Sequence, residues 1–386
     1  MRHIITAILT ALVLGACEGQ RAGAGSQDND TTTQQREAPH TLTLLFAGDM
    51  MQHSPQYNRA LRAGGGKRYD YTEVFQYVTD EISKADIAVA NFEATTAGGK
   101  PTSYPRFNAP DDFLTACRDA GFDILLTANN HCCDTGAEGL KRTIEMCDAN
   151  NTPHVGTYTS QEERDKKYPY LIEHNGLCVA LLCYTYGTNG LHAGRGQIVN
   201  VIDTATIHRD IMSAQAKQPD CIIAAMHWGI EYAFTPCKEQ RELAAWLLSN
   251  GVDHIIGSHP HVVQPVEVRQ GTDGRKHLVA YSLGNYISNM NKDGNDTGMM
   301  LRMTLTKYGN APGAELTDCR YALTWVSRPA VSGRSNYRIY PASVPDSLLN
   351  ASERQRLHSQ LALDRKVLNK GNKGISEYEI AFLGGE

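Results

Sequence analysis

The chain has 386 residues, of which 41% are hydrophobic, and this is enough for a substantial core in one large or two ordinary domains. Its formal net charge is -5, and its Lys and Arg residues are dispersed, with no basic run longer than the short "GGGKR" at 64–68. A nucleic-acid-binding surface is therefore not expected. The charge is compatible with a small or mildly anionic partner.

The N-terminus has the features of an export signal. Residues 1–17, "MRHIITAILTALVLGAC", combine a positive start, an apolar centre too short to span a bilayer and a small-residue end. The ending "LGAC" is typical of a bacterial lipobox and predicts lipidation of Cys17, which would anchor the exported protein to a membrane in the periplasm or at the cell surface. An ordinary cleaved signal peptide is the alternative. Residues 18–40 are polar and rich in Gly, Thr and Gln, which predicts a flexible tether.

From residue 41 onwards, short apolar runs alternate with helical patterns. The runs "TLTLLFAGDM", "ADIAVANFEAT", "FDILLTANNH", "LCVALLCYTYG", "DCIIAAMHWG", "VDHIIGSHPH" and "KHLVAYSLGNY" each predict a buried strand. Helical spacing predicts helices at 70–84, 110–120, 135–149, 204–217 and 237–249. This alternation indicates an α/β fold in one domain over 41–345. After residue 298 we expect antiparallel strands, and residues 346–386 should form a C-terminal helix, at about 346–364, and a polar tail.

Polar residues end six of these runs. They are Asp49, Asn91 with Glu93, Asn129 with Asn130 and His131, His227, His259 with His261, and Asn285. Ligands of open α/β sheets bind outside the carboxyl ends of the strands, so these side chains should meet at one rim. Each one alone is explained by a turn or a helix cap. Together they supply the imidazole and oxygen ligands that first-row transition metals take.

The stretch "GSHPHVVQP" places two imidazoles one proline apart. Pro260 stands between His259 and His261 and favours a turn over an extended segment. We therefore expect both rings to face the rim from a turn.

The motifs "LLFAGDMM", "ANFEAT", "FNAPDDFLTACRDAGFDILLTANNHCCDTGAEGL", "HWGIEY", "GSHPHVVQPVE" and "YSLGNY" occur in this order. Over roughly residues 42–300 the chain thereby resembles the bacterial CapA-type poly-gamma-glutamate capsule biosynthesis family, which is related to the calcineurin-like metallophosphoesterases. The resemblance implies a four-layer α/β/β/α metallophosphoesterase-like sandwich with a metal site at one edge.

The resemblance also implies roles for individual residues. Six metal ligands follow from it: Asp49, Glu93, Asn130, His227, His259 and His261, with Glu93 at the place of an aspartate that bridges two metals. His131 would be the catalytic general acid. The implied cofactor is a divalent metal, Mn, Fe or Zn, as one or two ions. The chain departs from the phosphoesterase pattern at Met51, where a His is usual, with His53 displaced by two positions.

Three further residues are candidates for substrate binding: Arg106, Glu231 and Asn285. A solvated surface side chain is the alternative for Arg106. Two main functions remain open. One is a metal-dependent hydrolase or transferase that acts on a phosphoryl or amide-linked anionic polymer during capsule assembly. The other is a non-catalytic accessory protein that binds the polymer or a membrane-embedded synthase. A scavenging nucleotidase is a third alternative.

Overall fold

A computed structural model describes residues 38–333 and 337–382. The export signal with Cys17, and the tether up to residue 37, lie outside the described residues. The strands are β1 (His40–Met50), β2 (Ile87–Phe92), β3 (Ile124–Leu126), β4 (His154–Val155), β5 (Thr157–Tyr158), β6 (Tyr170–His174), β7 (Leu177–Thr185), β8 (Ile198–Val199), β9 (Cys221–His227), β10 (His254–Ser258), β11 (Val266–Gln270), β12 (Lys276–Ala280), β13 (Asn285–Ile287), β14 (Thr297–Lys307), β15 (Glu315–Ser327), β16 (Arg338–Pro341) and β17 (Ser376–Glu377).

The helices are α1 (Ser54–Ala63), α2 (Thr72–Phe75), α3 (Thr79–Ile82), α4 (Asp111–Asp119), α5 (Gly136–Ala149), α6 (Gln161–Lys167), α7 (Thr204–Ala216), α8 (Lys238–Ser249), α9 (Pro329–Ser332) and α10 (Ala351–Gly371). No helix in the described part of the chain combines the length and apolar character needed to cross a bilayer.

The first sheet has the strand order β16-β15-β14-β1-β2-β3-β4. Strands β1 to β4 are parallel, and β14 and β15 add antiparallel neighbours on the other side of β1. Both faces of β1 are apolar: Leu42, Leu44 and Phe46 enter one core cluster, while Leu45 and Ala47 enter another. Because side chains alternate along a strand, this sheet is buried on both faces.

The second sheet has the order β11-β12-β10-β9-β7-β6. Helix α7 connects the parallel strands β7 and β9, and α8 connects β9 and β10. Right-handed crossovers between neighbouring strands place both helices on the same face of the sheet.

The two sheets pack face to face between two helical layers. One core cluster joins Phe46 of the first sheet to Leu181 and Ile223 of the second. A separate cluster joins the opposite face of the first sheet to α1 and α4, through residues such as Ala60 and Phe113. The expected four-layer α/β/β/α architecture is confirmed.

The run "KHLVAYSLGNY" is not one strand, as predicted, but two strands in different sheets. β12 belongs to the second sheet, and β13 pairs with β1 in the first. Gly284 lies between them with φ +68°, a conformation that glycine adopts without steric cost. A Cβ atom at Gly48 would collide with the Gly284 carbonyl oxygen, so both glycines permit the close crossing. The crossing places Asn285 opposite Asp49.

Two predicted helices have different bounds in the structure. The pattern at 70–84 forms two short helices, α2 and α3, and the Thr79 hydroxyl donates to the Phe75 carbonyl between them. The C-terminal helix runs over Ala351–Gly371 rather than 346–364, because Asn350 and Glu353 form a capping box at its start. Part of the predicted tail forms β17, which pairs with β15. The other predicted helices are present within a few residues.

Candidate metal centre

The polar strand ends predicted from the sequence converge in the structure. All ten of these residues are buried: Asp49, Asn91, Glu93, Asn129, Asn130, His131, His227, His259, His261 and Asn285. They come from the ends of strands in both sheets, so the centre lies where the two sheets approach each other. Their convergence follows from the shared direction of the parallel strands.

Glu93 occupies the middle of the cluster. Its Oε1 lies 3.8 Å from His227 Nε2 and 3.7 Å from His261 Nε2. One set of converging ligand atoms comes from Glu93, His227 and His259, and another comes from Asp49, Glu93 and His261. Glu93 is common to both sets.

The imidazole of His227 is held from both sides. Its Nε2 lies 2.8 Å from the amide oxygen of Asn130, and its Nδ1 lies 2.9 Å from the Ser258 hydroxyl. A partner on the second ring nitrogen fixes the orientation of an imidazole ligand. Asn130 and His227 therefore direct an oxygen and a nitrogen atom towards the same point.

The segment from His259 to His261 forms the expected turn. Both histidines have positive φ angles, 99° and 57°, which L-residues rarely adopt. Asp49 Oδ2 accepts from the backbone N–H of His259 at 3.3 Å and lies 3.1 Å from His261 Nδ1. Asn295 donates to the His261 carbonyl from the other side. Such strained backbone persists only where the surroundings hold it in place, and it is typical of functional sites.

Burial controls the charges of this cluster. It raises the pKa of Glu93 well above its usual value, and the neighbouring Asp49 and Glu231 add to the shift. Burial lowers the pKa of His259 to about 3 and that of His227 well below its usual value, with nearby histidines contributing. Neutral imidazoles are the form that binds metals.

The donor atoms of the cluster fit a divalent metal. Glu93 Oε1 and His259 Nδ1 are buried and have no hydrogen-bond partner within the described residues. Buried polar atoms normally have a partner, so these two call for one that the protein itself does not supply. Carboxylate, amide and imidazole ligands suit ions such as Mn, Fe and Zn.

His131 lies beside this cluster and is oriented by Asp134. The distance from His131 Nδ1 to Asp134 Oδ2 is 2.7 Å, and the same carboxylate oxygen accepts from the backbone N–H of Phe107. The Phe107 ring and the imidazole pack in a T-shaped arrangement at a centroid distance of 4.6 Å. With Nδ1 directed at a carboxylate, Nε2 is the nitrogen available to a substrate.

The two residues nearest the usual Asp-x-His pair do not supply a histidine ligand. Met51 is fully buried in the apolar cluster beneath the site. The ring of His53 packs edge-on against Phe107, and its Nδ1 lies 3.1 Å from Gln56 Oε1. Burial lowers the pKa of His53 to about 4.

The three predicted substrate-binding residues occupy different positions. Asn285 is fully buried behind His261, with its Oδ1 3.1 Å from His261 Nδ1 and its amide nitrogen donating to the Asn295 carbonyl. Arg106 is exposed, and within the described residues its guanidinium makes no hydrogen bond or ion pair. Glu231 is exposed to solvent at the edge of the centre. Its carboxylate forms a third set of converging ligand atoms with His259 and His261.

Comparisons with known proteins identify the family. The model of the family described as "Bacterial capsule synthesis protein PGA_cap" matches residues 43–290, which is more than half of the chain. The chain belongs to this capsule synthesis family. "PGA biosynthesis protein CapA" of Bacillus subtilis (strain 168) is 29% identical over 257 residues, or 64% of this chain and 63% of that protein. "Capsule biosynthesis protein CapA" of Bacillus anthracis is 29% identical over 263 residues, or 64% of this chain and 59% of that protein.

The chain spans less than two thirds of the length of these curated relatives. Among solved structures, that of the calcineurin-like phosphoesterase YfkN from Bacillus subtilis is similar at 14% identity, with a TM-score of 0.44 and coverage of 85% of this chain and 100% of that chain.

Sequence reasoning missed several residues around the centre of this capsule synthesis family member. Asp134 follows His131 by three positions, a spacing that places two side chains on one side of a turn and was available as a signal. Ser258 and Asn295 gave no such signal, because their contacts with His227 and His261 depend on tertiary structure.

Proposed function

We propose that this protein is an exported, lipid-anchored lipoprotein that acts in the synthesis of a poly-gamma-glutamate-type capsule as a metal-dependent hydrolase or transferase. The observation that carries the proposal is the position of Glu93, which is common to two sets of metal-ligand atoms. Membership of the capsule synthesis family supports the biological role. The anchor at Cys17 rests on the sequence motif alone.

The residues proposed to hold one or two divalent ions, Mn, Fe or Zn, are Asp49, Glu93, Asn130, His227, His259 and His261. When bound, such ions draw electron density from the oxygen atoms they contact and neutralise negative charge. The protein's strained histidine turn and its buried carboxylates keep the ligand atoms in place in advance of ion binding.

His131 is proposed as the general acid. Its Nδ1 is directed at Asp134, so its Nε2 can pass a proton to a leaving group. Asp134 keeps the ring in one orientation. The Phe107 ring packs against the imidazole in a T-shaped arrangement and limits its rotation.

The test is a His131→Asn variant beside a His208→Asn control, which changes an exposed histidine of α7. Each purified protein would be incubated with Mn, Fe or Zn and with phosphoesters and gamma-glutamyl amides, and polymer production would be measured in cells. The proposal expects metal-dependent turnover that His131→Asn removes and His208→Asn retains. It fails if the wild type has no metal-dependent turnover and polymer production does not need His131.

A second function is favoured by one specific observation, the burial of Met51 where phosphoesterases have a ligand histidine. The protein would then be a non-catalytic accessory that binds the anionic polymer or a membrane-embedded synthase. In that case His131→Asn leaves polymer production unchanged, whereas Cys17→Ser, which removes the proposed anchor, abolishes it. The reverse pattern would exclude this role.

A further inference from the structure

We propose that Glu231 sets the substrate class of the centre by disfavouring phosphate dianions and favouring a neutral carbonyl group, such as that of a carboxylic amide. The inference rests on the proposed function, because it concerns which substrate the metal centre accepts. The proposed function leaves phosphoryl and amide substrates open, and the placement of this one carboxylate argues against the phosphoryl class.

Glu231 is fixed next to the histidine turn. The following residue, Tyr232, has a φ angle of 66° and donates its backbone N–H to the Pro260 carbonyl at 2.8 Å. Pro260 lies between His259 and His261, so the loop that carries Glu231 is fastened to the segment that carries both ligands. The Glu231 carboxylate and the two imidazole nitrogens lie within 4.8 Å of one another.

Within the described residues, no Arg or Lys side chain forms an ion pair with Glu231 or with the carboxylates of Asp49, Glu93 and Asp134. Lys292 lies beside this loop, and its Nζ is 3.7 Å from the centre of the Tyr232 ring. It therefore contacts the aromatic face of the loop residue rather than one of these four carboxylates.

A substrate that reaches the histidine turn must approach this carboxylate. A phosphate monoester carries two negative charges near neutral pH, and repulsion at such distances is appreciable even with partial screening by water. Sites that handle phosphate usually present Arg or Lys instead. A neutral carbonyl is not repelled, and a carboxylate beside it can accept a hydrogen bond from an amide N–H.

Hydrolysis of an amide at this position requires one water molecule and a proton exchanged with His131. One water molecule forms a C–O bond to the carbonyl carbon, the C–N bond breaks, and the nitrogen leaves as an amine after taking a proton from His131. The water supplies the proton that restores His131, and the products are a carboxylate and an amine that carries the remaining proton.

The experiment measures the affinity of inorganic phosphate for the full-length, manganese-loaded protein by calorimetry. The variants are Glu231→Gln and Glu231→Lys, with Glu242→Gln on α8 as an exposed control. We expect phosphate binding to tighten about fivefold or more in Glu231→Gln, and further in Glu231→Lys, with the control unchanged. The ratio of phosphoester to 4-nitroanilide turnover should rise in the same order.

Bound metal, measured by elemental analysis, separates the outcomes. If metal content is normal and phosphate affinity does not follow the charge at position 231, the role of Glu231 is refuted and the proposed function stands. If Glu231→Gln loses metal, Glu231 is a ligand and the proposal is overturned. If the wild type binds no metal, the proposed function fails and this inference fails with it.

Discussion

Replacing Glu93 by Gln should change the stability of the protein in opposite directions without and with metal. In the metal-free protein the Glu93 carboxyl is fully buried near Asp49. Its folded-state pKa lies above the unfolded value, so its contribution to stability is full at low pH and is lost as the pH rises. An amide of the same shape carries no charge. Glu93→Gln should therefore stabilise the metal-free protein increasingly as the pH rises.

The size of both effects follows from linkage. There is a pH range in which the folded protein retains the Glu93 proton and the unfolded chain has lost it. In that range the free energy of unfolding of the wild type falls by up to about 1.4 kcal/mol per pH unit relative to that of the variant. With metal at 100 times its dissociation constant, the free energy of unfolding of the wild type rises by about 2.7 kcal/mol. At an unfolding entropy of about 2.1 cal/mol/K per residue, a domain of this size gains roughly 4 °C in Tm from that binding.

The assay is thermal unfolding at pH 6, 7 and 8, in chelator and in excess Mn²⁺, with Glu315→Gln as an exposed control. We expect Glu93→Gln to unfold at a higher temperature than the wild type in chelator and to lose most of the increase that Mn²⁺ gives the wild type. A variant that is destabilised in chelator, or that keeps the full metal-induced increase, would refute the assignment of Glu93 as a buried shared ligand.

Three other changes test the remaining parts of the structure. Asp134→Asn should lower kcat about 100-fold or more with bound metal unchanged, since the amide no longer orients His131, and steady-state kinetics with metal analysis would show it. Gly48→Ala should lower the free energy of unfolding by about 1–3 kcal/mol in urea titrations, because its Cβ collides with the Gly284 carbonyl. Burial raises the pKa of Asp364 to about 8, above the unfolded value of 3.8, so its contribution to stability is lost as the pH rises. Between pH 7 and pH 9, calorimetry should show the free energy of unfolding of Asp364→Asn rising by about 1.4 kcal/mol relative to that of the wild type.

The sequence predicted the convergence of the site because the relevant signals are local. Each buried run ends in a polar residue, and parallel strands bring such ends together, so the order of residues along the chain is enough to group Asp49, His227 and His261. Pro260 likewise indicated the turn that directs both of its neighbours inward.

The features that the sequence did not predict depend on contacts between distant segments. The crossing of Gly48 and Gly284, which divides an apparently continuous strand between two sheets, is not encoded in local periodicity. The same holds for the attachment of the Glu231 loop to Pro260, which is made by a backbone hydrogen bond. Side-chain patterns report burial, whereas these features depend on where one backbone meets another.

The central position of β14 bears on how this protein should be produced and divided. The family match ends at residue 290, yet β14 begins at Thr297 and pairs with β1 along eight consecutive residues, from His40 to Ala47. A chain cut at the end of the match would turn β1, the strand that carries Asp49, into an open edge with a row of unpaired backbone donors and acceptors. Such edges recruit other chains. Strand β14 is thus an interior strand of the first sheet, and a chain shortened at residue 290 should be expected to aggregate.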